Sequence, residues 1–181
     1  MFFVLSSNCA KRKTMTIDII GDIDDFALPR LEANLAQYNG EDKELTIKID
    51  SWGGYVDVAQ AMCEKIVAFA EANDIVINTE NSGDVMSAAT LFFLLGNKRT
   101  FDPSKGDFLI HNPWCFNVGD AQSMYECGDS LSSLEDYFAD YYAMTTGSDK
   151  EQIKEIMSKN DVMPTEQLTA MNFCTELIKS E

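Results

Sequence analysis

Histidine is nearly absent from this chain: His111 is the only one in 181 residues. Positive charge is scarce too, with 14 lysines and arginines against 30 aspartates and glutamates, a net charge of −16. That balance argues against nucleic acid, whose phosphates select basic faces. It argues equally against anionic membrane surfaces. It fits a self-repelling soluble surface, or a basic peptide substrate or partner. No apolar run approaches the length needed to span a bilayer. The five cysteines, Cys9, Cys63, Cys115, Cys127 and Cys174, are odd in number, scattered, and form no Cys-x-x-Cys pair. Neither a disulfide framework nor a zinc site is expected from them, and a reducing cytoplasm is the simpler setting. No metal or cofactor motif is present, and none is expected to bind.

The N-terminus runs apolar then basic, Met1-Phe2-Phe3-Val4-Leu5 before Lys11-Arg12-Lys13. A secretory signal has the opposite order and a longer apolar stretch. Met15 directly precedes the first strand pattern. Residues 1–14 therefore read as a disordered leader or an over-called start, and 15–181 as one domain. A lipoprotein signal ending at Cys9 lacks its basic first part.

Apolar runs and amphipathic stretches then alternate, which reads as α/β. Strands are expected at 16–20, 45–49, 75–79, 99–101 and 108–110. Helical spacing covers 26–38 and the stretch after Gly54, where Val56, Ala59, Cys63, Ile66, Val67 and Ala70 repeat at threes and fours. Residues 86–95 are apolar nearly all round, the mark of a buried helix. The longest helix, 120–144, ends at Gly147, a glycine C-cap. Ser148 and Glu151 read as a capping box opening the next helix, and 165–172 as the last. Tyr137, Phe138, Tyr141 and Tyr142 are more aromatics than one helix face buries. They either pack in the core with wet tyrosine tips or form an oligomer contact.

Three segments carry chemistry. Ser87 sits in Gly83-Asp84-Val85-Met86-Ser87-Ala88, where a strand gives way to the apolar helix. His111 ends the run Phe108-Leu109-Ile110 and is followed by Asn112-Pro113. Serine becomes a useful nucleophile when a base takes its proton, and histidine does that near neutral pH. Gly53-Gly54 follows the 45–49 strand and allows a turn that aims a backbone amide into a cleft. Each segment has a blander reading. Ser87 is also a natural helix cap, Gly-Gly an ordinary turn, and His111 a half-buried histidine at a strand end.

Taken in order, Asp50-Ser51-Trp52-Gly53-Gly54, Gly83 to Ala88 and Ile110-His111-Asn112-Pro113 resemble the Clp protease proteolytic subunit and its phage relatives. The resemblance runs from about Thr16 to Glu176. It implies the spiral of ββα units shared with crotonases, with a long handle helix, and serine endopeptidase activity. By the same resemblance Ser87 is the nucleophile, His111 the general base, and Gly54 and Ala88 the oxyanion donors through their N–H groups. The third member is expected at Asp161, in Asp161-Val162-Met163-Pro164-Thr165; the alternatives are a surface-turn aspartate there, with Asn160 or, less well, Asp149 orienting the imidazole. Trp52 stands where the family motif has proline, and Thr169, Phe173 and Glu176 also depart from its pattern.

The resemblance implies a homo-oligomer of rings enclosing the active sites. Residues 1–14 do not resemble the family's axial-loop segment, so an AAA+ ATPase partner is not expected. The compact form looks most like phage head-maturation proteases that process capsid or scaffold proteins, acting in the cytoplasm of a bacterial host. Three alternatives stand beside it: a housekeeping Clp-type peptidase with an ATPase, a crotonase-like acyl-CoA enzyme, and a non-catalytic assembly protein. Three arginines (Arg12, Arg30, Arg99) are a poor setting for CoA phosphates. The His111 context fits a Ser-His pair better than the Ser-Lys dyad of signal-peptide peptidases.

Overall fold

A computed structural model describes residues 14–178. Residues 1–13, and with them the expected leader and Cys9, lie outside the described residues; Thr14 already belongs to the first strand. The elements run β1 (Thr14–Ile20), α1 (Ala27–Leu35), β2 (Glu44–Ser51), α2 (Val56–Asn73), β3 (Val76–Met86), α3 (Ala89–Phe93), β4 (Lys98–Phe101) and β5 (Phe108–Leu109). They continue with α4 (Ala121–Thr146), α5 (Lys150–Lys159), α6 (Thr165–Ala170) and β6 (Glu176–Leu177). This is the α/β architecture that the alternation predicts, with the long helix that the resemblance implies.

The strands form one parallel sheet in the order β1-β2-β3-β4-β6, with β5 also paired to β3. Parallel neighbours need crossovers, and α1 and α2 supply the first two. Burial alternates along β1 and β2. Ile17, Ile19, Leu45, Ile47 and Ile49 enter the core, while Lys48 on the other face pairs with Glu80 of β3 at 3.1 Å. Helix α2 buries Ala59, Met62, Ile66 and Ala70, a stripe at the expected helical spacing.

β3 is the central departure from expectation. The expected strand stops at residue 79, yet β3 continues through Asn81-Ser82-Gly83-Asp84 to Met86. Its first half pairs with β4 and its last residues with β5. Asn81 holds the bend. Its amide donates to the Gly83 and Asp102 carbonyls, and its carbonyl accepts from the Asp102 N–H. Gly83 is required by close approach, because a Cβ there would overlap the Asp50 carboxylate.

Other boundaries shift for identifiable reasons. The apolar helix is α3, five residues rather than ten, because Met86 still completes β3. Helix α5 is capped by Asp149, whose side chain accepts from Gln152 N, one residue after the expected Ser148 cap. Ser148 Oγ instead lies 2.9 Å from Thr146 Oγ1 and 3.3 Å from Met171 O. Asp120 caps α4 and Gly147 ends it in the left-handed region. The short β6 strand carries no readable pattern. Buried Arg99 brings it into place, donating to the carbonyls of Phe173, Gly96 and Asn172.

Three of the four aromatics clustered at 137–142 of α4 pack inward. Phe138 and Tyr142 are buried, the Tyr142 hydroxyl lies 2.7 Å from Thr90 Oγ1, and Tyr141 donates to Leu91 O. Of these four, Tyr137 stays exposed. One expectation is corrected: Cys115 and Cys127 pair as a disulfide, their Cα atoms 7.7 Å apart. The pair joins the loop after β5 to α4. Among the described residues, no helix is long and apolar enough to cross a membrane.

Candidate active site

β2, β3 and β5 are neighbours in a parallel sheet, so their C-terminal ends open on the same side. That shared end is where Gly53-Gly54, Ser87 and His111 meet. The Ser87 Oγ and His111 Nε2 atoms are 2.7 Å apart, a hydrogen bond between residues 24 apart in sequence. Ser87 does not cap α3, which has no side-chain cap. It stands before the helix with φ +55°, a left-handed conformation for a residue with a Cβ. Such a conformation costs on the order of 1 kcal/mol and is found where geometry serves a site. It is held by Ser87 N donating to Leu109 O, and by Thr90 N and Oγ1 both donating to Ser87 O.

The glycine pair lies directly against this turn. Gly53 has φ +96°, and a Cβ there would sit 2.7 Å from Ser87 Cβ and 2.9 Å from Ala88 N. A Cβ on Gly54 would strike the Ile23 carbonyl and amide, since Ile23 N donates to Gly53 O and Tyr55 N to Ile23 O. Both positions therefore exclude a side chain. The Gly54 and Ala88 amides have no acceptor among the described residues, which leaves both free to donate.

His111 is half-buried, and burial alone lowers its pKa from the ordinary value. Its imidazole is therefore neutral at neutral pH, the state that can accept the Ser87 proton. The Asn112 N–H donates to Met157 O and fixes the chain beyond it.

Asp161 is not brought to His111. It is exposed and lines a separate recess with Ile156, Lys159, Val162, Met163, Pro164 and Gln167. Its segment is nevertheless anchored beside β5, because Met163 N donates to Phe108 O, three residues before His111. Neither alternative reaches the imidazole: Asp149 caps α5, and Asn160 closes the same helix with φ +51°.

A cavity of about 560 Å³ opens at the Ser87–His111 pair. Its lining includes Trp52, Gly53, Gly54, Tyr55, Trp114 and Phe116, with Asp22 the carboxylate side chain at its edge. Trp114 and Phe116 escaped the sequence reading, because only the path of the loop after His111 turns them toward the cleft. Among the described residues, no group of three or more His, Cys, Asp or Glu side chains is placed to hold a metal.

A strained serine at a strand–helix junction, an imidazole on its hydroxyl and two unpaired amides form a constellation suited to acyl transfer. The Clp protease family model matches residues 8–181, and the chain belongs to that family of serine-type peptidases. Members of the family act on protein substrates, typically as oligomers.

Proposed function

We propose that the chain is an endopeptidase in which Ser87 attacks the scissile carbonyl while His111 takes its proton. The observation that carries this is the 2.7 Å contact between Ser87 Oγ and His111 Nε2. The developing oxyanion is taken by the Gly54 and Ala88 N–H groups, and the imidazolium then protonates the leaving amine. Water, deprotonated by the same imidazole, releases the acyl group from Ser87. Asp161 is the carboxylate proposed to orient His111 and stabilise its charged form. In this structure Asp161 lies in a separate recess, so the role requires the 160–164 turn to approach His111.

The acyl-CoA alternative loses ground on the arginines. Arg99 is buried on three carbonyls and Arg30 is paired with Asp24, so neither is free for a phosphate.

The physiological role we propose is processing of capsid or scaffold proteins by a phage-encoded protease. It would work as a homo-oligomer without an ATPase partner, in the cytoplasm of the bacterial host. Its support is the net charge of −16, because an acidic protein suits basic substrate segments. The test of the chemistry is labelling with a serine-reactive fluorophosphonate. Ser87 should be the modified residue, and His111→Ala should cut the labelling rate at least a hundredfold. Labelling elsewhere, or at Ser87 at an unchanged rate in His111→Ala, would remove the assignment.

A further inference from the structure

Trp52 is 71% exposed although indole is among the most apolar side chains, and it lines the cavity that contains Ser87 and His111. An untethered ring would lie down on the nearest apolar surface. This one is tethered. Its only polar atom, Nε1, donates to Asp84 Oδ2 at 2.7 Å. The Asp84 carboxylate is in turn fixed, since its Oδ1 accepts from Asp107 N at 2.8 Å, and the Asp84 N–H donates to Asp50 Oδ1 at 3.2 Å. The Asp84 carboxylate thus links the residue before β5 to the residue after β2, and it tethers an indole. Trp114, 76% exposed, and Phe116, 88% exposed, line the same cavity.

We propose that Trp52 is a specificity-determining residue that selects peptides with an aromatic side chain next to the scissile bond, and that Asp84 is its positioning residue. This rests on the peptidase reading of Ser87 and His111. A rigid indole offers large contact area with little ordering left to pay on binding. Aromatic pairs add attraction beyond buried area. The hydrogen bond to a carboxylate is charge-assisted and holds the ring more firmly than a neutral acceptor does. Alanine at the same substrate position leaves the indole wet and gains none of this.

The experiment compares two fluorogenic peptide series that differ only in carrying phenylalanine or alanine at each residue flanking the scissile bond. The readout is the ratio of kcat/KM, aromatic over alanine, which cancels any change in folded fraction. Wild type is expected to favour the aromatic series at one flanking position by about tenfold or more. Trp52→Ala should remove most of that ratio through KM. Trp52→Phe, which keeps a ring but loses the N–H, should retain part of it. Asp84→Ala should lower the ratio about threefold, and Asp84→Asn, which keeps an acceptor for Nε1, should restore it. A merely structural Asp84 would lower both series together and leave the ratio unmoved. No aromatic preference in wild type, or an unchanged ratio in Trp52→Ala, overturns the proposal. Fluorophosphonate labelling of wild-type Ser87 separates the readings: intact labelling with an unchanged ratio removes the tryptophan, and absent labelling removes the peptidase.

Discussion

An imidazole accepts a proton from serine only while it is neutral. Burial lowers the His111 pKa below 6.5, and no carboxylate opposes that shift. The acid limb of kcat/KM, which reports the free enzyme, is therefore expected below pH 6.5. The same depression has a consequence for stability. The unfolded chain binds this proton more tightly, so His111 withdraws stability as pH falls below 6.5 and toward its folded pKa. In the substrate complex, Asp161 engagement would raise the imidazole pKa, moving the kcat limb above the kcat/KM limb. In Asp161→Asn the two limbs should coincide, and kcat should fall by roughly a hundredfold to ten-thousandfold, as loss of an orienting aspartate does in serine peptidases. Coincident limbs in the wild type, with normal turnover in Asp161→Asn, would return Asp161 to its turn.

At the scale of elements, the site depends on how β3 ends. The chain must pass from a strand to a buried helix within two residues, and Ser87 bears the positive φ that this demands. The glycine pair after β2 then presses on that turn, with no room for a methyl group. Gly53→Ala is expected to destabilise the protein by about 2 kcal/mol or more, because both φ and contact oppose it. Its Ser87 should label more slowly, and a denaturation midpoint equal to wild type would contradict the packing. Arg99 offers a second check. Its guanidinium satisfies three carbonyls near β6 with little solvent, and Arg99→Met should cost about 3 kcal/mol by leaving them unpaired, read as a lowered Tm. A change under 0.5 kcal/mol would mean that β6 is held by other contacts.

These elements also mark where sequence reading works and where it stops. The spacing of Ala59, Ile66 and Ala70 and the alternation in Leu45–Ile49 are local signals, and they located α2 and β2. The parallel sheet is what brings the Gly-Gly, Ser87 and His111 segments to one end, and that they belong together was legible from the resemblance. The continuation of β3 through Asn81–Asp84 was not, since turn-forming residues were satisfied by partners over twenty residues away. The Trp52–Asp84 bond was hidden for the same reason, and the Cys115–Cys127 pair because its spacing of 12 residues matches no motif. Asp161 was placed by resemblance alone, and the one contact near it, Met163 to Phe108, is a backbone bond that sequence pattern does not encode.

For the whole molecule, the outstanding question is what covers the first half of α4. The C-terminal half buries Phe138 and Tyr142 in its own core, whereas Met124 and Tyr125 stand 47% and 72% exposed. A lone helix face with apolar groups in water gains by association, and the family's members typically assemble. Self-association must also overcome repulsion within a chain of net charge −16, so assembly should strengthen with salt as that repulsion is screened over about 10 Å at 0.1 M. Sedimentation at micromolar concentration is expected to find an oligomer whose share rises between low and physiological salt. Tyr125→Glu, which adds a charge to the exposed face and breaks no contact of the protomer's core, should shift it toward monomer. A wild-type protein that stays monomeric at every salt concentration would leave α4 as a solvated helix, and the enclosed chamber would have to be abandoned.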